Sequence, residues 1–376
     1  MMPSIGCFRF SMMFLLVVLC SSVRAQPPDA DLVKLALKDG NTAFTKGDYD
    51  AARRSFEKAW QIAQRPPANA PVRYDILKRL TATAAALGQF MEAQRYIQQA
   101  LEWRVSIMGA DDPRIADDLL LSINLDLRTK DFDQALSTAR RLQAIHAAAH
   151  TAESTQVADD YLRIGQIYLA QRNAHDAIRA FAEADRLRTE LIGALDPGLL
   201  PVLDGLNEAY GTLGATGARE PIYRQALLIR ETMYGSDSTE LINTIEGLAD
   251  SCAAGGEYVA AEPLYERLLS LWERLVGPEH PMVAVTLDKL VVFYMKEGKP
   301  EKARAALARS VAIRARFLAV GLSHQAADQI ELGRPMEAMA LYNRALAALG
   351  SPGGANNDVI AALRKSLAAL QKAAVK

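Results

Sequence analysis

The feature that most constrains this chain is a repeat of fixed length. A small residue recurs at Ala52, Ala93, Ala135, Ala177, Ala261, Ala303 and Ala338, and Arg219 stands at the same phase between Ala177 and Ala261. Successive steps are 41, 42, 42, 42, 42, 42 and 35 residues. The loop glycines Gly109, Gly193, Gly235 and Gly277 are spaced 84, 42 and 42 apart. Two markers in phase over a fixed period mean stacked supersecondary units, each burying its apolar face against its neighbours.

The residue types around the marker have physical tasks. Five positions before it stand Gly47, Gly88, Gly214, Gly256, Gly298 and Gly333, where a helix stop needs a left-handed residue. Four positions after it stand large apolar residues, among them Phe56, Ile97, Phe181, Tyr223, Tyr265, Leu307 and Tyr342. Three further on, Ala59, Ala100, Ala184, Ala226, Ser310 and Ala345 are small. Steps of four and three keep all of these on one helix face, so large side chains fill the gaps left by small ones. Pro113, Pro197 and Pro281 share one phase and suit the first turn of a following helix. Residues 239–281 are the clearest copy of this helix-turn-helix pattern.

These residues resemble the tetratricopeptide repeat. The first copy carries Gly40, Lys46-Gly47-Asp48-Tyr49-Asp50, Ala52, Phe56 and Ala59. The 42-residue period and the strings Ala261-Glu262-Pro263-Leu264-Tyr265 and Gly277-Pro278-Glu279-His280-Pro281 look like the longer subtype found in kinesin light chains. Unit three departs from the pattern at Lys130 and Ala139, and unit five at Arg219. The resemblance implies an all-α, right-handed superhelical solenoid of about eight units over residues 31–349. Unit seven is expected to end near Val320 and unit eight at Leu349.

Three segments lie outside the array. Residues 1–25 read as a bacterial-type secretory signal peptide, with Arg9, an apolar core Phe10–Leu19 and cleavage after Ala25. That implies a periplasmic or secreted protein. Lipidation at Cys20 is disfavoured because Leu19, not a small residue, precedes it. Residues 26–30 form a short leader. Residues 350–357 are rich in Gly, Pro and Asn and read as a loop. Residues 358–376 form a last helix with Val359, Ile360, Leu363, Leu367 and Leu370 at helical spacing. Its expected role is to cap the open end of the array, as solenoids require.

Composition excludes several functions. Without residues 1–25 the chain keeps 41 basic and 44 acidic side chains, which does not suit a nucleic-acid partner. Cys252 is then the sole cysteine, so no internal disulfide forms, and it reads as a small buried residue. No phosphate-binding loop, nucleophile elbow or metal motif is present, so neither catalysis nor a cofactor is expected. His146 and His150 are four apart on one helix, too few for a metal, and read as a solvated helix end. His280 is expected to make a loop hydrogen bond.

Function is therefore expected on the surface. In the family the first helix of each unit lines the concave wall. Those positions fall here on Asn41, Phe44, Asn124, Arg128, Asp159, Gln166 and Lys296, and on Asp204, Glu208, Glu246, Asp250 and Asp288. The last five would form an acidic stripe that takes a protein or peptide with a basic segment. The carboxylate clamp of chaperone-binding relatives is missing, since Leu37 and Asp117 stand where it needs lysines. The resulting expectation is an exported, non-catalytic scaffold or adaptor. The alternative is a structural, self-associating component of an envelope assembly.

Overall fold

The computed structural model describes residues 29–65, 70–150, 153–350 and 356–374. The expected signal peptide, residues 1–25, and its cleavage site lie outside them. Two compact units are present, one ending at Gly109 and the other beginning at Ala110. The first holds two helical hairpins, α1 (Asp29–Thr45) with α2 (Tyr49–Ala63) and α3 (Ala70–Ala86) with α4 (Phe90–Met108). The second holds α5 (Ala116–Thr129) with α6 (Phe132–Ala149), α7 (Thr155–Ala170) with α8 (Ala174–Leu191), and α9 (Leu200–Thr212) with α10 (Glu220–Tyr234). It continues with α11 (Ile242–Ala254), α12 (Tyr258–Val276), α13 (Pro281–Lys296), α14 (Pro300–Glu331), α15 (Pro335–Leu349) and α16 (Asn357–Ala374). No strand occurs among the described residues, and the architecture is an all-α helical repeat solenoid.

Local chemistry sets the hairpins. The residue five before each marker adopts a left-handed backbone, and Lys130 and Arg172 do so as well, both at φ 61°. The tight turn therefore tolerates a side chain at those two positions, at a conformational cost of roughly 1 kcal/mol each. Three second helices start on capping side chains: Asp48 accepts from the Ala51 amide at 3.0 Å, Asp131 from the Gln134 amide at 3.2 Å and Asn173 from the Asp176 amide at 3.3 Å. The loops between hairpins are capped at one phase of the repeat. Asp112, Asp196, Ser238 and His280 each accept the amide two residues on, the last through Nδ1 from Met282 at 3.2 Å. That is the loop hydrogen bond expected of His280.

Packing follows the small-and-large pattern. The marker alanines are fully buried, and Phe56, Ile97 and Phe181 fill the space beside them. The Phe181 ring is held between two helix backbones. A Cβ on Gly165 of α7 would lie 2.5 Å from it, and so would one on Gly205 of α9. Only glycine leaves room for an aromatic ring between two first helices at that spacing.

The end of the array departs from the expected boundaries. Unit seven does not stop near Val320. Its second helix runs on without a turn into the first helix of unit eight, as the 32-residue α14. The physical reason is the 35-residue step, which lacks seven residues. Elsewhere those residues form the Gly-to-Pro loop, whereas here Ala319-Val320-Gly321-Leu322 offers neither a cap nor a proline. Seven residues are about two helical turns, so their loss keeps the helix in phase. Ala303, Ala306 and Ile313 in the first half of α14 share a core with α13, and Ala319, Leu322 and Ala326 in the second half share one with α15. Ile360 and Leu363 of α16 are buried against α15 and the end of α14, and Arg316 of α14 ties Asp358 at 2.8 Å. The last helix thus covers the apolar face of α15.

Candidate functional site

The five candidate acidic residues sit on three successive first helices. Asp204 on α9, Glu246 on α11 and Asp288 on α13 share one phase of the repeat, with Glu208 and Asp250 one turn further along. Four of these five carboxylates already have cationic partners within the chain. Arg230 of α10 donates to both Asp204 oxygens at 3.0 and 3.1 Å and also to Thr244 at 2.9 Å. Lys289 of α13 lies 2.7 Å from Glu246 and 2.8 Å from Asp250. Arg314 and Ser310 of α14 both donate to Asp288. Glu208 is exposed and makes no ion pair among the described residues.

Sequence reasoning missed these cations, although they obey the same period. Arg188, Arg230 and Arg314 lie at one phase of the second helix, with His146 before them and Trp272 between the last two. Arg188 pairs with Asp159 and with Asp196 at 2.8 Å. Where Trp272 interrupts the column, α13 supplies the charge through Lys289. In the two preceding first helices glycine stands at the Lys289 phase, at Gly205 and Gly247. Burial alone would pull the Lys289 ammonium down, but its hydrogen bonds to Asp250 and Glu246 outweigh that and hold it above its ordinary range. The wall is therefore a ladder of compensated pairs rather than an open acidic stripe.

One stretch of this wall is a true recess. A cleft of 480 Å³ opens between α11 and α13, lined by Asp250, Ala253, Ala254, Val285, Asp288, Lys289, Val292, Phe293 and Lys296, with Tyr265 of α12 at its base. The Tyr265 hydroxyl donates to Asp250 at 2.6 Å. Burial, reinforced by that carboxylate, pushes the phenol well above its usual range, so it stays a donor. Val285 and Val292 are exposed apolar side chains inside an otherwise charged rim. This combination can hold an apolar side chain and orient charged neighbours of either sign.

The other sequence candidates are engaged or plainly solvated. Asn41 accepts from Arg79, and Phe44 packs edge-on against Tyr49 at 5.2 Å. Asn124 and Gln166 are exposed. His146 is not a solvated helix end: its Nδ1 lies 2.7 Å from the buried Asp160 of α7, because α7 folds back over the end of α6. Cys252 is buried, and burial pushes its thiol up. Glu220, Cys252 and Glu257 bring ligand atoms within 4.8 Å of one another. However, Arg224 pairs with both carboxylates, and a protonated thiol is a poor ligand. No described helix is long and apolar enough to cross a membrane.

Comparison with known proteins agrees with this architecture. Residues 240–316 match the tetratricopeptide repeat family model. No curated protein matches the chain. Among solved structures, the apo form of RapI superposes with a TM-score of 0.54 at 12% identity, over 86% of this chain and 87% of that one. A signal transduction ATPase with a tetratricopeptide repeat sensor from Pyrococcus horikoshii gives 0.50 at 14% identity, over 75% of this chain and 41% of its own. Kinesin light chain repeats of Podosopora anserina give 0.46 at 16% identity, over 56% of this chain and all of theirs. At such identities the first two likenesses speak for the fold alone. The segment 240–316, which holds the cleft and most of the paired carboxylates, is a stretch of tetratricopeptide repeats within an all-α repeat solenoid.

Proposed function

We propose that this protein is an exported, non-catalytic scaffold that binds a protein or peptide segment in the cleft between α11 and α13. The observation that carries the reading is the composition of that cleft, with Val285 and Val292 exposed between Asp250, Asp288, Lys289 and Lys296. An extended segment with one apolar anchor fits such a recess. The paired carboxylates narrow the acidic-stripe reading. A basic side chain of the partner meets Glu208 directly, but must share Asp204, Glu246, Asp250 and Asp288 with Arg230, Lys289 and Arg314. Specificity then comes from exchange of ion pairs along the wall, and affinity from the apolar anchor.

The test uses three labelled ten-residue peptides: an apolar anchor flanked by lysines, the same anchor flanked by glutamates, and a polar control. Anisotropy should rise saturably with the lysine-flanked peptide and stay flat with the control. Val292→Glu should abolish that binding. Changing Asp204, Glu208, Glu246, Asp250 and Asp288 to Asn or Gln should remove only the preference for lysine over glutamate flanks. Equal binding of all three peptides, or none, overturns the proposal. Export is tested separately, by the N-terminus of protein recovered from the host envelope. Gln26 is expected, and an intact Met1 in the cytoplasm refutes it.

A further inference from the structure

The fused helix α14 leaves one packing position of the array unfilled. In hairpins that are followed by a first helix, the residues four and eight after the marker are buried or half-buried. Tyr265 is 4% exposed and Leu227 8%. In the α13–α14 hairpin the same positions are Leu307, 48% exposed, and Val311, 57% exposed. On α13, Met295 occupies the phase of Ala253, which in the preceding hairpin lines the cleft against α13. Met295 is 60% exposed. The cause is geometric: α14 continues straight where a loop would have returned the next first helix across this face.

We propose that this face is a docking seat for an amphipathic helix of a partner protein, lying where the absent first helix would have lain. Its positions continue the interface that α13 makes with the hairpin before it. The charges specify the occupant further. In that earlier interface the seat offers Glu246 and Asp250, and the docked helix brings Lys289. Here Val292 stands in place of Asp250, and Asp288, in place of Glu246, is held by Arg314 and Ser310. Lys296 is exposed and makes no ion pair among the described residues. The partner helix therefore carries a small or apolar residue where α13 has Lys289, and an acidic residue over Lys296.

Among the described residues, the first and last helices do not meet that description. The outward face of α1 carries Lys34, Lys38, Asp39 and Thr42, with Leu35 as its one exposed large apolar side chain, so it offers no apolar stripe. The apolar side of α16 is already spent on α15. The seat thus selects a helix from another protein rather than a second copy.

The experiment uses the full chain and a labelled peptide of residues 281–296 carrying Lys289→Ala and Lys296→Glu. Saturable anisotropy is expected with the native protein. Leu307→Asp together with Val311→Asp should weaken it at least tenfold, with helicity and thermal unfolding unchanged because both side chains already face solvent. Binding of the lysine-flanked peptide in the α11–α13 cleft should be untouched by this pair of substitutions. Absence of saturable binding, or equal binding to the variant, overturns the seat. So does a concentration-dependent dimer in sedimentation that the variant abolishes, because it assigns the face to a second copy.

Discussion

Gly205→Ala is a sharp test of how successive hairpins are held together. The new methyl carbon would lie 2.5 Å from Cζ of Phe181, with two more ring atoms at 2.7 and 2.8 Å. The ring cannot retreat, because the Gly165 backbone of α7 closes its other side at the same spacing. Overpacking of this kind costs about 1–3 kcal/mol. Alanine gains up to about 1 kcal/mol over glycine in helix propensity. The net expectation is destabilisation by roughly 1–2 kcal/mol. In a Phe181→Leu background the ring edge is gone and only the propensity gain remains, so the same substitution becomes neutral or stabilising by up to about 1 kcal/mol. The two sites should therefore couple by about 2 kcal/mol in a double-mutant cycle. Hydrogen exchange of the α8 and α9 amides is the right assay, because a long repeat array opens locally as well as globally. If Gly205→Ala stabilises the parent chain, or costs the same with Leu at 181, the ring is not what joins these hairpins.

Three further perturbations read other parts of the structure. Asp126 is buried, and desolvation, with the nearby Asp131 carboxylate adding to it, lifts its carboxyl from 3.8 to about 7. A carboxyl raised on folding binds its proton more tightly in the native state. Stability should therefore fall as pH rises from about 4 to about 7, by on the order of 4 kcal/mol, and Asp126→Asn should flatten that slope and stabilise the chain at neutral pH. Urea unfolding at several pH values checks this, and a slope unchanged in the variant refutes it. Lys289→Ala should release Glu246 and Asp250, strengthening capture of the lysine-flanked peptide several-fold with a steeper salt dependence; weaker capture would mean that Lys289 shapes the cleft rather than masks it. The buried, raised Cys252 thiol should ignore a thiol reagent in the native chain and react fully once the chain is unfolded; rapid native labelling would refute its burial.

Much of the fold was legible in the sequence because its determinants are local and periodic. Phase-locked glycines, capping residues and prolines set where each helix starts and stops, and small residues at one helix face set how closely neighbours approach. His280 was readable as a loop cap for the same reason. Lys130 and Arg172 show that the turn is dictated by its surroundings as well as by glycine, since both adopt the left-handed backbone with a side chain attached.

The surface was not legible in the same way. The phase of Asp204, Glu246 and Asp288 could be read, but not that Arg230, Lys289 and Arg314 reach across to them. Those contacts join residues 26 to 43 positions apart, on different helices, and depend on where long side chains end. His146 likewise read as solvated until α7 brought Asp160 over it. Whether α14 bends or runs straight was decided by the absence of seven loop residues. The 35-residue step recorded that absence, yet only packing converts it into an exposed Leu307 and Val311. Sequence by itself determined the repeat and, outside α14, the helices and their stops, because these follow from neighbours along the chain. Tertiary structure alone decided which charges are spent and which apolar face is left open, because these follow from neighbours in space.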